Sequence, residues 1–164
     1  MINEVLKRGR ALEMLEQTLA DIYTKFKIHF YQEMFRQTHA REMSLTSTET
    51  FCVEVIHALD KPTVNEFANF IQVSSPNAAY KVNNLVKKGY LTKRQSKEDK
   101  REYHLVPTEK YMDYYNISYN YMNTVLKRVE EHFSKEQVDQ LIEILQTTAD
   151  ELMPEIEVKN KIRG

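Results

Sequence analysis

The chain has 164 residues, 41% of them hydrophobic, and its 23 Lys and Arg against 24 Asp and Glu give a formal net charge of −1. That is long enough for one hydrophobic core, and three Gly with four Pro imply few loops and a mainly helical fold. No apolar run reaches the ~20 residues that cross a bilayer, the N-terminus lacks the apolar stretch of a secretion signal, and a single Cys makes no internal disulfide, so the expectation is a cytoplasmic protein with no membrane partner.

In chain order, the first signal is a row of apolar residues, Leu12, Leu15, Leu19, Ile22 and Phe26, stepping by three and four as in a helical seam. His29 and Glu33 follow at i and i+4, with His39 further along, a spacing able to present a metal ion. Cys52 aligns with Val55, Ile56 and Leu59 on an apolar helical face and reads as a small buried hydrophobe, since thiol reactivity needs exposure and a positive neighbour.

Pro62 to Pro107 reads as helix, tight turn, helix and charged hairpin. Thr63-Val64-Asn65-Glu66 has the spacing of a capping box, in which the hydroxyl and the carboxylate satisfy free amides of a first turn. A helix is expected from about Val64, with Val64, Phe67, Ala68 and Ile71 on one face and a turn at Gln72 and Val73. Ser74-Ser75-Pro76 opens the next helix, with Ser75 expected as N-cap and Pro76 at the first helical position. There Ala78, Val82, Leu85 and Val86 form the inward stripe, while Asn77, Tyr80, Lys81, Asn84, Lys87 and Lys88 face outward. Gly89 ends the helix as a left-handed cap.

A polar stripe by itself describes most surface helices. What gives this one weight is the hairpin Tyr90 to Pro107, whose tip carries Lys93, Arg94, Lys97, Lys100 and Arg101. Ser75 to His104 holds eight Lys or Arg and three Asp or Glu, a net of +5 that the rest of the chain offsets with −6. A basic module hidden in a near-neutral chain is the electrostatic footprint of a polyanion partner, although charge runs also serve simply to keep hairpins soluble. Asn and Lys on the outward face have the chemistry to meet base edges and phosphates.

Beyond the hairpin, Thr108 is expected to cap a long helix with Tyr111, Tyr115, Tyr119, Met122, Leu126, Val129 and Phe133 on one face. Ser134-Lys135-Glu136-Gln137 starts a last helix, with Val138, Ile142, Leu145, Ala149 and Leu152 in a second seam and Pro154 as its stop. These stripes exceed what a monomer needs to bury. The first and last helices are therefore expected to pack against their copies in a two-fold homodimer, with intrachain packing as the alternative. Internal repeats, low-complexity stretches and Gly-rich phosphate loops are lacking in the sequence.

Three motifs carry a likeness: Leu45-Thr46-Ser47-Thr48-Glu49-Thr50-Phe51, Leu85-Val86-Lys87-Lys88-Gly89-Tyr90-Leu91 and Asp99-Lys100-Arg101. They resemble, in turn, the entry to the second helix, the exit from the recognition helix and the Asp-x-Arg of the wing in the MarR family of bacterial transcriptional regulators. The resemblance implies a winged helix-turn-helix over 45–107, flanked by dimerisation helices at 1–44 and 108–164. It implies that Arg101 enters a minor groove with Asp99 orienting it, and that the protein is a repressor. The expected DNA-facing set is Ser74, Ser75, Asn77, Tyr80, Lys81, Asn84, Lys87, Lys93, Arg94, Lys97, Asp99, Lys100 and Arg101, without catalytic residue, metal or cofactor. Its expected partners are double-stranded DNA carrying a pseudo-palindrome, a second copy of the chain, and an unidentified small-molecule effector.

Three alternatives stay beside this reading. A winged helix can bind proteins rather than DNA. The regulator could be thiol- or metal-responsive, but peroxide-sensing relatives carry their Cys in the first helix, and zinc-responsive ones draw ligands from the helix after the wing, where Glu109 to Asp113 offers no His. The tyrosines between Tyr111 and Tyr121 could line an aromatic effector pocket, although such residues more often serve core and interface. An enzyme is disfavoured, because no nucleophile stands beside a base and no paired carboxylates occur in a pocket-forming context.

Overall fold

The computed structural model describes residues 2–37, 45–97 and 99–159. Its elements run α1 (Ile2–Gln37), α2 (Ser47–Ala58), α3 (Val64–Phe70), α4 (Ser75–Lys87), β1 (Leu91–Gln95), β2 (Tyr103–Pro107), α5 (Glu109–His132) and α6 (Lys135–Glu151). Mainly helical with one two-stranded antiparallel wing, this is a winged helix-turn-helix between long terminal helices.

Short-range chemistry sets most helix starts. Thr46 with Glu49, Thr63 with Glu66, and Ser134 with Gln137 each close a reciprocal capping box, and Thr108 caps α5 through the Tyr111 amide. Gln72, at φ +54, makes the tight turn between α3 and α4. At the end of α4, Gly89 N–H donates to Val86 O and Tyr90 N–H to Leu85 O, both at 2.9 Å. This is the paired bonding of a Schellman cap, and it needs the left-handed φ of +78 that Gly89 adopts. A Cβ added there would meet nothing closer than 4.0 Å, so backbone conformation, not space, demands the glycine. Pro154 follows the end of α6 as expected, with Leu152 as the C-cap.

The core lies between residues 52 and 114. Val53, Ile56, Phe67, Ala78, Val82, Leu85, Leu91, Leu105 and Tyr111 are sealed from solvent, joined by Cys52, Ala68, Tyr90 and Tyr114. They come from α2, α3, α4, both wing strands and the start of α5. The wing pairs Leu91 with Pro107 through to Gln95 with Tyr103. Its base is extended by a bridge from Thr63 to His104, with Leu105 N–H on Pro62 O at 2.8 Å and the His104 ring, protonated on Nδ1, on Lys61 O at 2.9 Å.

The terminal helices add almost nothing to this core. α6 has no buried residue, and Leu12, Leu15, Leu19, Leu145 and Leu152 are each more than half exposed. At 36 residues α1 is roughly 54 Å long. It meets α5 through aromatic contacts: Phe26 edge-on to Tyr121, His29 stacked on Tyr121 with centroids 3.6 Å apart, and Phe30 edge-on to Tyr114. The expected stripe on α5 is buried only near its start. Tyr111 and Tyr114 are in the core, Tyr115, Tyr119, Met122 and Val129 are half-buried, and Leu126 and Phe133 are exposed. Past α6 the chain returns to the helix-turn-helix, where Lys159 N–H donates to Ala58 O at 3.0 Å.

Candidate nucleic-acid interface

Helix α4 is buried along Ala78, Val82 and Leu85, with Val86 half-buried at the margin. At about 100° per residue, the opposite side is centred on Tyr80, Asn83 and Lys87, all exposed, with Pro76 and Asn77 at its N-terminal end. The outward face is thus rotated from the one expected from sequence. Lys88 belongs to the side rather than the front: its ammonium lies 2.7 Å from Glu49 Oε2 on α2. Lys81 and Asn84 are half-buried on that same flank. Asn83, which sequence reasoning passed over, takes the central exposed place, and tracing the helix from the buried triad alone would have found it.

A second correction concerns the start of α4. The N-cap is Ser74, Ser75 is the first helical residue and Pro76 the second. Ser74 makes no side-chain cap bond. One of the amides such a cap would engage is that of the second helical residue, and proline has none. The Ser75 hydroxyl instead donates to Asn65 Oδ1 at 3.0 Å, tying α4 to α3.

The wing presents its cations without burying them. Arg94, Lys97, Lys100 and Arg101 are exposed, and the Arg101 side chain is 91% exposed. Asp99 holds Arg101 from three directions: Oδ1 accepts the backbone N–H at 2.9 Å and Nε at 3.3 Å, while Oδ2 accepts Nη2 at 3.3 Å. The Arg101 backbone bond, then its side-chain bonds, hold the Asp99 carboxyl below the usual carboxylate range. The tip itself is shaped by Gln95 Nε2 donating to Lys100 O and by Asp99 N–H on Ser96 Oγ. Lys93 does not stand free: its Nζ donates to Asn83 Oδ1 at 2.8 Å, which places the wing beside the outward face of α4.

Residues 45–103 match the family model described as MarR family, a stretch running from the α2 cap to the first residue of β2. From the α2 cap through the first wing strand, the chain is similar to that family. Solved structures share the fold over most of the chain. A MarR family protein from Bacillus stearothermophilus matches with a TM-score of 0.62 at 16% identity, over 88% of this chain and 96% of that one. A MarR-like transcriptional regulator from Thermotoga maritima gives 0.59 at 22%, over 87% and 96%. Streptococcus pneumoniae FabT, solved in complex with DNA, gives 0.59 at 18%, over 88% and 99%. At these identities the likeness is one of fold. Among curated proteins no significant match is found.

Residues outside the wing and α4 fill other places. Cys52 is buried, and burial, with a smaller push from Glu49, drives its thiol up against the pull of Lys81, the opposite of a reactive thiolate. Glu33 pairs with Arg36 at 2.8 Å, and His39 lies outside the described residues. Among the described residues no three His, Cys, Asp or Glu side chains gather as for a metal ion. Burial pushes Tyr111 well above the ordinary phenol range and Tyr114 up to about 12, and it lowers His57, which sits against the Tyr111 and Tyr115 rings. None of the described helices is long and apolar enough to cross a membrane.

Proposed function

We propose that this protein is a sequence-specific transcriptional regulator of double-stranded DNA, acting as a homodimeric repressor released by a small-molecule effector. The observation that carries the reading is the Asp99–Arg101 arrangement: an exposed guanidinium held in one posture by a carboxylate at the tip of a wing, next to the polar face of α4. Pre-ordering a long side chain lowers the entropy lost when it enters a narrow minor groove, where negative potential is concentrated.

In this reading Asn77, Tyr80 and Lys87 meet base edges and phosphates in the major groove. Ser74 and Ser75 lie at the helix entry, Lys81 and Asn84 at its flank, and Arg94, Lys97 and Lys100 along the adjoining backbone. The regions 1–44 and 108–164 supply the dimer, since their apolar seams are open in the single chain. Two copies related by a two-fold axis would place their α4 helices about 34 to 36 Å apart, one turn of duplex. An effector that favours another spacing would release the operator.

Selection of bound duplexes from a random pool tests this directly. An inverted repeat with half-sites one turn apart is expected. A pool that enriches no motif, or a protein that binds no duplex, overturns it.

A further inference from the structure

By position Lys93 is a phosphate contact: a cation in the first strand of a basic hairpin. Its surroundings say otherwise. Strand residues alternate, so Leu91, Lys93 and Gln95 share a face of β1, and Leu91 on that face is 1% exposed. The Lys93 ammonium accordingly turns to α4 and donates to Asn83 Oδ1. Lysine has three donors and no acceptor, so Asn83 must offer its oxygen here, leaving its amide hydrogens to point elsewhere.

The bond joins the middle of the α4 outward face to the middle of β1. Below it the wing is fixed by Leu91 and Leu105 in the core, while above it Arg94, Gln95, Lys97, Lys100 and Arg101 are solvent-exposed and Ser96 and Asp99 are half-buried. From the level of Lys93 to Arg101 is about four residues, or roughly 12 Å of strand. A tilt of about 10° at the base would therefore move Arg101 by about 2 Å, a third of the ~6 Å width of a minor groove.

We propose that the Lys93–Asn83 bond is a brace that sets the angle of the wing against the recognition helix, and with it the number of base pairs between the bases read by α4 and the minor groove entered by Arg101. The inference rests on the DNA-binding reading above. Lys93 and Asn83 are positioning residues, and their weight lies in where they hold Arg101.

The test uses the full chain and duplex selection, with Asn83→Ala, Lys93→Ala, the double variant and Asn83→Asp, each checked by thermal unfolding. Each alanine variant is expected to lose about fivefold in affinity, and the double variant to lose no more than the weaker single. The selected duplexes keep their inner half-site, while the A·T preference at the flanks spreads over several positions. Asn83→Asp, which keeps an acceptor for Lys93, retains the flanking position even as its charge lowers affinity. The slope of affinity against salt stays as in the unsubstituted protein.

If Lys93→Ala lowers that slope by about one while Asn83→Ala binds normally, Lys93 is a phosphate contact and the brace is wrong. Additive losses in the double variant, or an unchanged flanking preference in Asn83→Ala, overturn it equally. Failure of the unsubstituted protein to select any duplex is a different result and removes the functional reading itself.

Discussion

One carboxylate oxygen serves two helix ends: Glu49 Oε2 accepts the Thr46 N–H at 2.8 Å, closing the cap of α2, and lies 2.7 Å from the ammonium of Lys88 at the end of α4. The pair spans 39 residues and is mostly shielded, with 13% of the Glu49 side chain and 30% of Lys88 exposed. Desolvation alone would raise the Glu49 carboxyl. The Lys88 bond, the Thr46 bonds and the Lys88 charge together outweigh it and hold the group low.

Glu49→Gln keeps an acceptor for the Thr46 cap but removes the ion pair, and it is expected to cost about 1–2 kcal/mol in urea unfolding. Because the folded carboxyl titrates below its unfolded value, its contribution is complete above the ordinary glutamate range and is lost as pH falls through the lowered folded value. The variant should therefore show a shallower loss of stability on acidification. An acid limb identical to that of the unsubstituted protein would show that the bridge carries no stability.

At the wing, Arg101→Ala is expected to weaken operator binding about tenfold or more, while Lys97→Ala lowers the slope of affinity against salt modestly. Asp99→Asn should act differently. It loosens the guanidinium and removes a negative charge, so binding to random duplex holds or tightens while the preference for the operator shrinks. Titrations of both duplexes at two salt concentrations separate these outcomes, and unchanged operator binding by Arg101→Ala would refute the wing assignment.

The turn between α2 and α3 stores strain. Asp60 and Lys61 take consecutive left-handed conformations, φ +51 and +60. That places the Lys61 and Pro62 carbonyls against His104 and Leu105 of β2. Aspartate tolerates the region better than lysine, whose Cβ crowds the following carbonyl. Lys61→Gly is expected to raise stability by about 0.5–1 kcal/mol, the relief of strain exceeding the added unfolded-state entropy. A lower denaturation midpoint for this variant would mean that the turn is not strained at Lys61.

The exposed seams on α1 and α6 lead to a prediction about association. Burying one such leucine contributes about 1.5–3 kcal/mol, so Leu15→Glu together with Leu145→Glu should shift sedimentation from dimer to monomer at micromolar concentration. Operator affinity should fall with it, while far-ultraviolet dichroism stays helical in the part that holds the core. A protein that sediments as a monomer before substitution would contradict the dimer.

Much of this architecture is legible in the sequence because its signals are local. Thr63 and Glu66, Ser134 and Gln137, Gly89 and Pro154 act through neighbours three or four residues away, and no distant contact is needed to state what they do. Charge clustering in the hairpin and the Asp99–Arg101 spacing are equally local, so the wing was expected where it stands. The partners along the flank of α4 were not. Ala78, Val82, Leu85 and Val86 face the core as expected, but only the packing of α2 beside α4 turns Lys88 from solvent to Glu49. Ser74 rather than Ser75 as N-cap and the return of Lys159 to Ala58 have the same origin. Each depends on which distant segment packs alongside, and that is decided by burial of the shared core rather than by any residue's immediate neighbours.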